Sequence, residues 1–464
     1  MMQLKETTLR SFLEEALKQA RMKRGSQLVS WTEKMEPLSL VQAFDQVEPF
    51  HLNRLFWSNN EQTFMLFGFG TAMEIVATEN RFKLLDEKWS ELVRNASIYN
   101  PYEAEGTGLT AFGGMSFDPL RERSELWKNF PVSQLTVPAY LVVYVNGEYY
   151  FTMNRLIDEE TDIHLIAQDK EAMKRTLSGE KRQQTDVKQK IIYKMEKNTD
   201  KWMESVKKAV KAINNDKAEK IVLARELRIK LKERVNVGSL IEKLMETQKQ
   251  SYIFAYEQGD DCFVGASPER LVRLKGADLL STCLAGTAPR GNSEAEDAEI
   301  ADELLNDAKN RKEHDHVVKM IRSSIEPFCF NINIPDQPVI LTLRNLQHLY
   351  TPVTAKLKNG VTVFQLIEVL HPTPALGGVP RDTALEFIRE EEQFDRGWYG
   401  APIGWVDYHG NSEFAVAIRS GLVQGDEVSL FAGCGVMGDS DPEIEYQETA
   451  VKFLPMLTIL EDRE

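Results

Sequence analysis

Nowhere in this sequence do eighteen apolar residues follow one another, so no stretch is long enough to cross a bilayer as a helix. Cysteine is scarce as well. The four thiols, Cys262, Cys283, Cys329 and Cys434, form no Cys-x-x-Cys pair, which argues against a zinc cluster or a disulfide framework and reads as reduced thiols. Positive charge is in deficit: 56 Lys and Arg against 71 Asp and Glu leave a formal net charge of -15. A surface of that sign repels phosphate backbones, so nucleic acid is not an expected partner. Also missing are Gly-x-Ser-x-Gly, a Walker loop and a dinucleotide fingerprint, which weighs against hydrolase, NTPase and dehydrogenase chemistry. Gly68-Phe69-Gly70 lacks the third glycine of a nucleotide loop and reads as a strand end. Residues 1–24 are charged and helical in pattern, without the apolar stretch of a secretory leader. The expectation is a soluble, cytoplasmic protein with no membrane partner.

What is present is 464 residues of chain, 42% hydrophobic, enough to bury a sizeable core as two or three domains or as one large unit. Leu9, Phe12, Leu13, Ala16 and Leu17 recur at helical spacing and predict a first helix ending near Gly25. Strands follow at 27–31, 54–57 and 64–69, then a helix over 81–95. Asn146-Gly147, between the strand runs 139–145 and 148–152, is the strongest hairpin signal. From 167 to 201 the chain is charged and poor in β-branched residues. That segment reads either as a boundary between an N-terminal part, 1–200, and a catalytic part, 201–464, or as a solvated helical connection within one unit. Beyond it, strands at 221–225, 252–256, 262–265, 339–343, 403–408, 414–418 and 429–432 accompany helices at 239–247, 298–321, 363–370 and 384–391. His409-Gly410-Asn411 reads as a hairpin turn. Part of the sheet is then antiparallel, which favours an α+β architecture over a doubly wound nucleotide fold.

The chemistry gathers towards the C-terminus. Ser440-Asp441-Pro442-Glu443 has the capping residue, proline and acid of a helix start. A helix from there sets Glu445, Glu448 and Lys452 on one face, docked by Val451, Leu454 and Leu457. Taken alone, that face is no more than a solvated surface with a salt bridge. Gly433, Gly435 and Gly438 before it read as a loop whose backbone approaches an anion. Lys220 opens the apolar run 221–224, where an amine is usually a strand-entry charge but acts as a base if half-buried among cations. Glu269 follows the buried run 263–268 and suits either proton transfer or a turn cap. Glu313 falls in the helix that carries Ile300, Leu304, Leu305 and Ala308. Its neighbours His314 and His316 lack the i, i+4 spacing of zinc ligands, whereas Glu313, Glu445 and Glu448 suit magnesium, a hard cation that prefers oxygen. Arg419 ends an alternating strand and can clamp a carboxylate. His348 ends the run 341–349 and, by itself, reads as a core histidine.

Six stretches taken together carry a family likeness. Lys220-Ile-Val-Leu-Ala-Arg, Gly265-Ala-Ser-Pro-Glu269, Leu284-Ala-Gly-Thr-Ala-Pro-Arg-Gly291, Asn310-Arg-Lys-Glu313-His, His371-Pro-Thr-Pro-Ala-Leu376 and Ser440-Asp-Pro to Glu448 resemble the chorismate-utilising enzymes. These are the anthranilate, aminodeoxychorismate, isochorismate and salicylate synthases. The resemblance covers roughly 202–460 and is greatest to the isochorismate-forming members of the menaquinone pathway. It implies an α/β/β/α sandwich with two largely antiparallel sheets, to which the N-terminal part contributes.

It also implies roles. Lys220 matches the base that activates water, and Glu269 the acid that protonates the departing C4 hydroxyl of chorismate. Glu313 and Glu448 match ligands of Mg²⁺, with Glu445 beside them. Tyr399, Arg419, Gly433 and Lys452 match groups that hold the substrate's carboxylates, and Gly286, Thr287 and His348 match groups near its ring. Ala285 stands where aminodeoxychorismate synthases carry a nucleophilic lysine, so that covalent adduct is excluded. Ala375-Leu376 resembles the turn of the isochorismate type. Such chemistry needs a neutral lysine and a protonated glutamic acid near pH 7, set by burial and neighbouring charge. The competing readings are a salicylate synthase, a siderophore-pathway isochorismate synthase and, in another class, a non-catalytic chorismate-binding protein. Chorismate is the expected partner. The resemblance also implies no glutamine amidotransferase subunit, and Gly433-Cys434-Gly435, too short for that enzyme's nucleophile turn, reads instead as a substrate-facing loop.

Overall fold

The computed structural model describes residues 8–179, 190–344 and 346–461. Part of the charged stretch 167–201 therefore lies outside the described residues. Two strands of 13 residues, Phe64–Val76 and Ser133–Val145, organise the molecule, because each belongs to two sheets. Their outer halves pair as Phe64↔Val145 through Phe69↔Tyr140, and their inner halves as Thr71↔Pro138 through Val76↔Gln134. The register slips between Thr71 and Met73, just past Gly70 at φ +64. A bulge of this kind bends a strand and raises its twist, which turns the pair from one sheet into the other. Gly68 and Gly70 thus lie inside a strand rather than at its end.

From the outer halves the first sheet runs through Arg54–Ser58, Tyr252–Gln258, Asp261–Ser267, Ser420–Gln424 and Glu427–Val436 to Lys220–Leu231. From the inner halves the second runs through Thr110–Met115, Pro402–Asp407, Ser412–Val416, Arg270–Lys275 and Asp278–Pro289 to Leu346–Leu357. Neighbouring strands are antiparallel, apart from the short parallel pairing of Gln27–Met35 with Ser97–Tyr99. The sheets face each other across an aromatic core that includes Trp57, Trp127, Trp398, Trp405, Tyr252 and Phe254. Each such ring stabilises the fold by roughly 1.5–3 kcal/mol on full burial. Helices cover the outsides. Leu9–Lys23, Leu40–Gln46, Val237–Thr247 and the last helix pack on the first sheet, and Arg81–Asn95, Ala308–Ile325 and Val363–Leu370 on the second. This is the expected α/β/β/α sandwich of two largely antiparallel sheets.

Local signals explain much of the detail. Asn146 and Gly147 take φ +53 and +82, the conformation that a two-residue hairpin demands. The expected helix over 298–321 is two helices, Glu294–Asn306 and Ala308–Ile325. Apolar periodicity continues across the join, but Asp307 accepts the amide of Asn310 at 2.7 Å and starts a new helix. Glu313 is accordingly on a different helix from Ile300 and Leu304. The strands 278–289 and 346–357, absent from the expectation, form the part of the second sheet nearest the site, and His348 lies within the latter.

The last helix, Pro442–Leu460, begins where expected, with Asp441 accepting the amides of Glu443 and Ile444 at 2.9 and 3.2 Å. Its docking face differs in part from the expectation. Val451 is 37% exposed, and the main contacts come from Phe453, Met456, Ile459 and Leu460, with Leu457, as expected, packed against the same cluster. Glu445 and Thr449 are drawn to the same buried side, which fixes the helix's rotation and leaves Leu454 and Leu457 only half-covered. Gly433-Cys434-Gly435 is not a loop: it lies in the strand Glu427–Val436, paired to 222–224.

Candidate active site

Between the ends of these strands lies a cavity of about 350 Å³. It is lined by Lys220, Glu269, Gly286, Thr287, Glu313, His348, Ala375, Leu376, Tyr399, Arg419, Gly433, Glu445, Glu448 and Lys452, so the fold brings together the residues to which the family likeness gives a role. Lys220 is the first residue of Lys220–Leu231 and is buried. Its side chain crosses the next strand at Gly435, where any Cβ would fall 2.5 Å from Lys220 Cε. Lys220 Nζ ends against the carboxylate of Glu313 in an ion pair.

Glu269 sits after Ser267-Pro268, just before the strand Arg270–Lys275, and is buried. Burial raises its carboxyl to about 7, against the opposing pull of Arg419, Lys220 and Lys452. A carboxyl held there is half protonated at neutral pH, as a proton donor should be. Arg419 occupies the turn between two strands at φ +52, past the end of Ser412–Val416 rather than within the strand. It is half-buried in the cavity wall, and burial depresses its guanidinium. No carboxylate among the described residues lies within ion-pair distance of it. A half-buried fork without a counter-ion suits a substrate carboxylate.

Burial also lifts the Tyr399 hydroxyl to about 12, which keeps it a hydrogen-bond donor. Lys452 Nζ donates to the Gly433 carbonyl at 3.1 Å and pairs with Glu448 on its own helix. Thr287 Oγ1 and His348 Nδ1 are 3.0 Å apart. Burial, then Arg419 and Lys452, bring His348 down to about 3, so the ring is neutral, and its buried Nε2 has no partner in the protein.

Three carboxylates besides Glu269 share the site, and among the described residues no three metal-binding side chains are already drawn together. Glu313 and Glu448 are each held by a lysine, and Lys220 keeps Glu313 ionised despite its burial. Glu445 is raised by burial and by Glu448, and its buried Oε2 has no partner. An all-oxygen set with one orphaned carboxylate atom fits a hard divalent cation, which would relieve both the orphan and the repulsion. The histidines offer no second metal site. His314 has both ring nitrogens engaged, and His316 Nδ1 lies 3.6 Å from Glu219.

Sequence reasoning passed over two of the charged residues that line the cavity, Arg396 and Lys309. Arg396 is fully buried and donates to the carbonyls of Leu376 and Val222 at 3.0 and 2.9 Å, while its Nε donates to Glu392 at 2.8 Å. Glu392 in turn accepts the amide of Ala224 at 2.7 Å. One buried pair thereby joins the turn at 375–376 to the strand that begins at Lys220. Its signal was available as an acid and an arginine four apart, just before Tyr399. Lys309, at the rim, bridges to Asp439 at 2.8 Å across the mouth.

A sandwich of two largely antiparallel sheets with an acid, an amine and an unpaired guanidinium around one small cavity matches a known class. The sequence profile of the chorismate binding enzymes fits residues 15–461, and the chain belongs to that family. It is 37% identical to the isochorismate synthase MenF of Bacillus subtilis (strain 168), across 98% of both chains. It is also 36% identical to the salicylate biosynthesis isochorismate synthase of Pseudomonas aeruginosa, across 97% of this chain and 93% of that one. Among solved structures, a putative 2,3-dihydroxybenzoate-specific isochorismate synthase, DhbC, from Bacillus anthracis aligns with TM-score 0.71 and 27% identity over 90% of this chain and 99% of its own. The menaquinone-specific isochorismate synthase MenF of Escherichia coli aligns with TM-score 0.79 over 97% and 100%, and at 23% identity that likeness speaks for the fold.

Proposed function

We propose that this chorismate binding enzyme is an isochorismate synthase, dependent on Mg²⁺, that exchanges the C4 hydroxyl of chorismate for a hydroxyl at C2. The observation that carries the reading is Glu269, a buried carboxyl raised to about 7 in the same cavity as the Lys220 amine. Lys220 takes the proton from the attacking water. Glu269 gives its proton to the departing hydroxyl, so the ring gains one hydroxyl, loses another and the net charge is unchanged. Arg419, Lys452 and the Tyr399 hydroxyl hold the two substrate carboxylates in a chain whose overall charge opposes their approach. His348, neutral and with Nε2 free, donates or accepts at the ring beside Thr287. The walls supplied by Leu376, Ile418 and Val222 keep bulk water from the reacting carbons.

Glu313 and Glu448, with Glu445 alongside, would hold Mg²⁺. When bound it supplies positive charge at the ring carboxylate, favouring loss of the C4 hydroxyl. To hold the ion, Glu313 and Glu448 would turn from Lys220 and Lys452, which would release the Lys220 amine towards water.

Full-length similarity to a MenF protein supports a place in menaquinone synthesis and a cytoplasmic location for this chain. Among the described residues no helix is long and apolar enough to cross a membrane. The test is incubation of the purified protein with chorismate, with and without Mg²⁺, followed by chromatography and a pyruvate assay. The expected result is a metal-dependent mixture of chorismate and isochorismate without pyruvate. Salicylate with pyruvate would replace the reading by a salicylate synthase, and unreacted chorismate would refute catalysis altogether.

A further inference from the structure

His314 stands beside Glu313, yet the reaction makes no use of it. The ring is 1% exposed. Its Nδ1 lies 3.0 Å from the carbonyl oxygen of Ala285, which can only accept, so Nδ1 carries the proton. Nε2 must then be the acceptor, and the Thr351 hydroxyl donates to it at 2.7 Å. The Cys283 thiol lies 3.5 Å from the same Nδ1 and 3.6 Å from the carbonyl oxygen of His314, to which it can donate.

These bonds join three elements: the helix Ala308–Ile325, which carries Glu313, and the strands Asp278–Pro289 and Leu346–Leu357. The junction falls where the two strands lose register. Ala285 opposes Leu349 and Thr287 opposes His348, and Gly286 is squeezed out between them at φ +81. A Cβ on Gly286 would meet Leu349 at 3.1 Å and Asn310 Cβ at 3.3 Å, so the helix turn before Glu313 rests directly on the bulge. His314 ties down the residue after it. Bulges re-aim the side chains around them, and here Gly286 and Thr287 form one wall of the cavity while Glu313 projects from another.

We infer that His314 is a positioning residue: through its bond to the Ala285 carbonyl it fixes the Glu313 carboxylate relative to the Gly286–Thr287 wall. The inference rests on the reading of Glu313 as part of a magnesium site. The two ring bonds can be separated by amide side chains. His314→Asn places an N–H near the position of Nδ1 and retains the Ala285 bond, whereas His314→Gln places its oxygen near Nε2 and retains only the Thr351 bond. A merely structural role makes the shorter asparagine the more damaging change. A positioning role acting through Ala285 reverses that order for metal binding.

The experiment titrates MgCl₂ into wild type and both variants by calorimetry, alongside the magnesium half-saturation of turnover and the melting temperature. His314→Gln is expected to weaken magnesium binding by about tenfold, the low end for residues that orient metal ligands, and His314→Asn by less than about threefold even where it melts lower. Thr351→Val, which removes only the donor to Nε2, is expected to bind magnesium as wild type does, and serves if His314→Asn fails to fold. Magnesium affinity that follows the loss of melting temperature in all variants, or that changes in none, overturns the positioning role. A wild type that neither binds magnesium nor responds to it overturns the magnesium reading of the site, and the inference with it.

Discussion

Replacing Glu269 by glutamine should produce an enzyme that is almost inactive yet more heat-resistant than wild type above neutral pH. The side chain keeps its size and loses only its titratable proton. As the proton donor, Glu269 is worth about 10²–10⁴ in turnover, the usual range for general acid catalysis. The stability effect has the opposite sign. An ordinary glutamic acid titrates at 4.5 and this one at about 7, because burial outweighs the pull of Arg419, Lys220 and Lys452. That difference is worth about 3 kcal/mol between the two protonation states. Below 4.5 the carboxyl is protonated in both the folded and the unfolded chain, and its burial carries no ionic cost. As pH rises from 4.5 to 7 the unfolded chain ionises first, and the folded state loses up to that amount. Glutamine has no such loss. For a chain of this length about 3 kcal/mol corresponds to about 3 °C in melting temperature. Calorimetry of both proteins at pH 4.5 and pH 8, with turnover at pH 7, makes the measurement. Near-normal turnover, or a melting difference that does not widen with pH, would refute the reasoning.

Lys220→Ala is expected to abolish turnover while chorismate still binds, as followed by calorimetry, because Arg419, Tyr399 and Lys452 remain. Glu448→Gln should raise the magnesium half-saturation by about tenfold and lower turnover with it, and an unchanged metal titration would return that helix face to plain solvation. Gly435→Ala adds a methyl group within 2.5 Å of Lys220 Cε and should cost about 100-fold in turnover by displacing the amine. In wild type, kcat/KM should fall above pH about 7 as Glu269 loses its proton, and that alkaline limb should vanish from the residual activity of Glu269→Gln.

The sequence carried the site more fully than it carried the fold around it. Local chemistry sufficed for the hairpin at Asn146-Gly147 and for the start of the last helix at Asp441, since each depends on residues within one turn. The break at Asp307 was hidden because the apolar period runs on across it, and only the side chain's capture of the Asn310 amide ends one helix and begins another. The rotation of the last helix was misread for a similar reason. Apolar residues occupy most of its circumference, so the buried side was decided by Phe453 and Met456 meeting the sheet. Gly433 to Gly435 looked like a loop because glycine is rare in strands, whereas Gly435 is there to make room for Lys220. Gathering Lys220 to Lys452 around one cavity was legible through family likeness and not through spacing. The residues come from separate strands and helices, and nothing local in the chain records their meeting. Arg396 showed only its local half, the acid four residues before it; its bonds to the carbonyls of Leu376 and Val222 carry no sequence signature.

The sharing of strands between the sheets has a consequence for where the chain can be cut. Arg54–Ser58 lies against Tyr252–Gln258, and Thr110–Met115 lies against Pro402–Asp407. A fragment beginning at residue 201 would keep all the residues proposed to act on substrate, yet it would carry two raw sheet edges, each a template for another chain. It would also bare one side of the aromatic core, where Phe64 stacks on Trp405 and Trp57 meets Tyr252. The first third of the protein contributes no residue to the lining of the cavity, and it works as the seam that closes both sheets at once, leaving the half that bears the site with no open edge where the two meet.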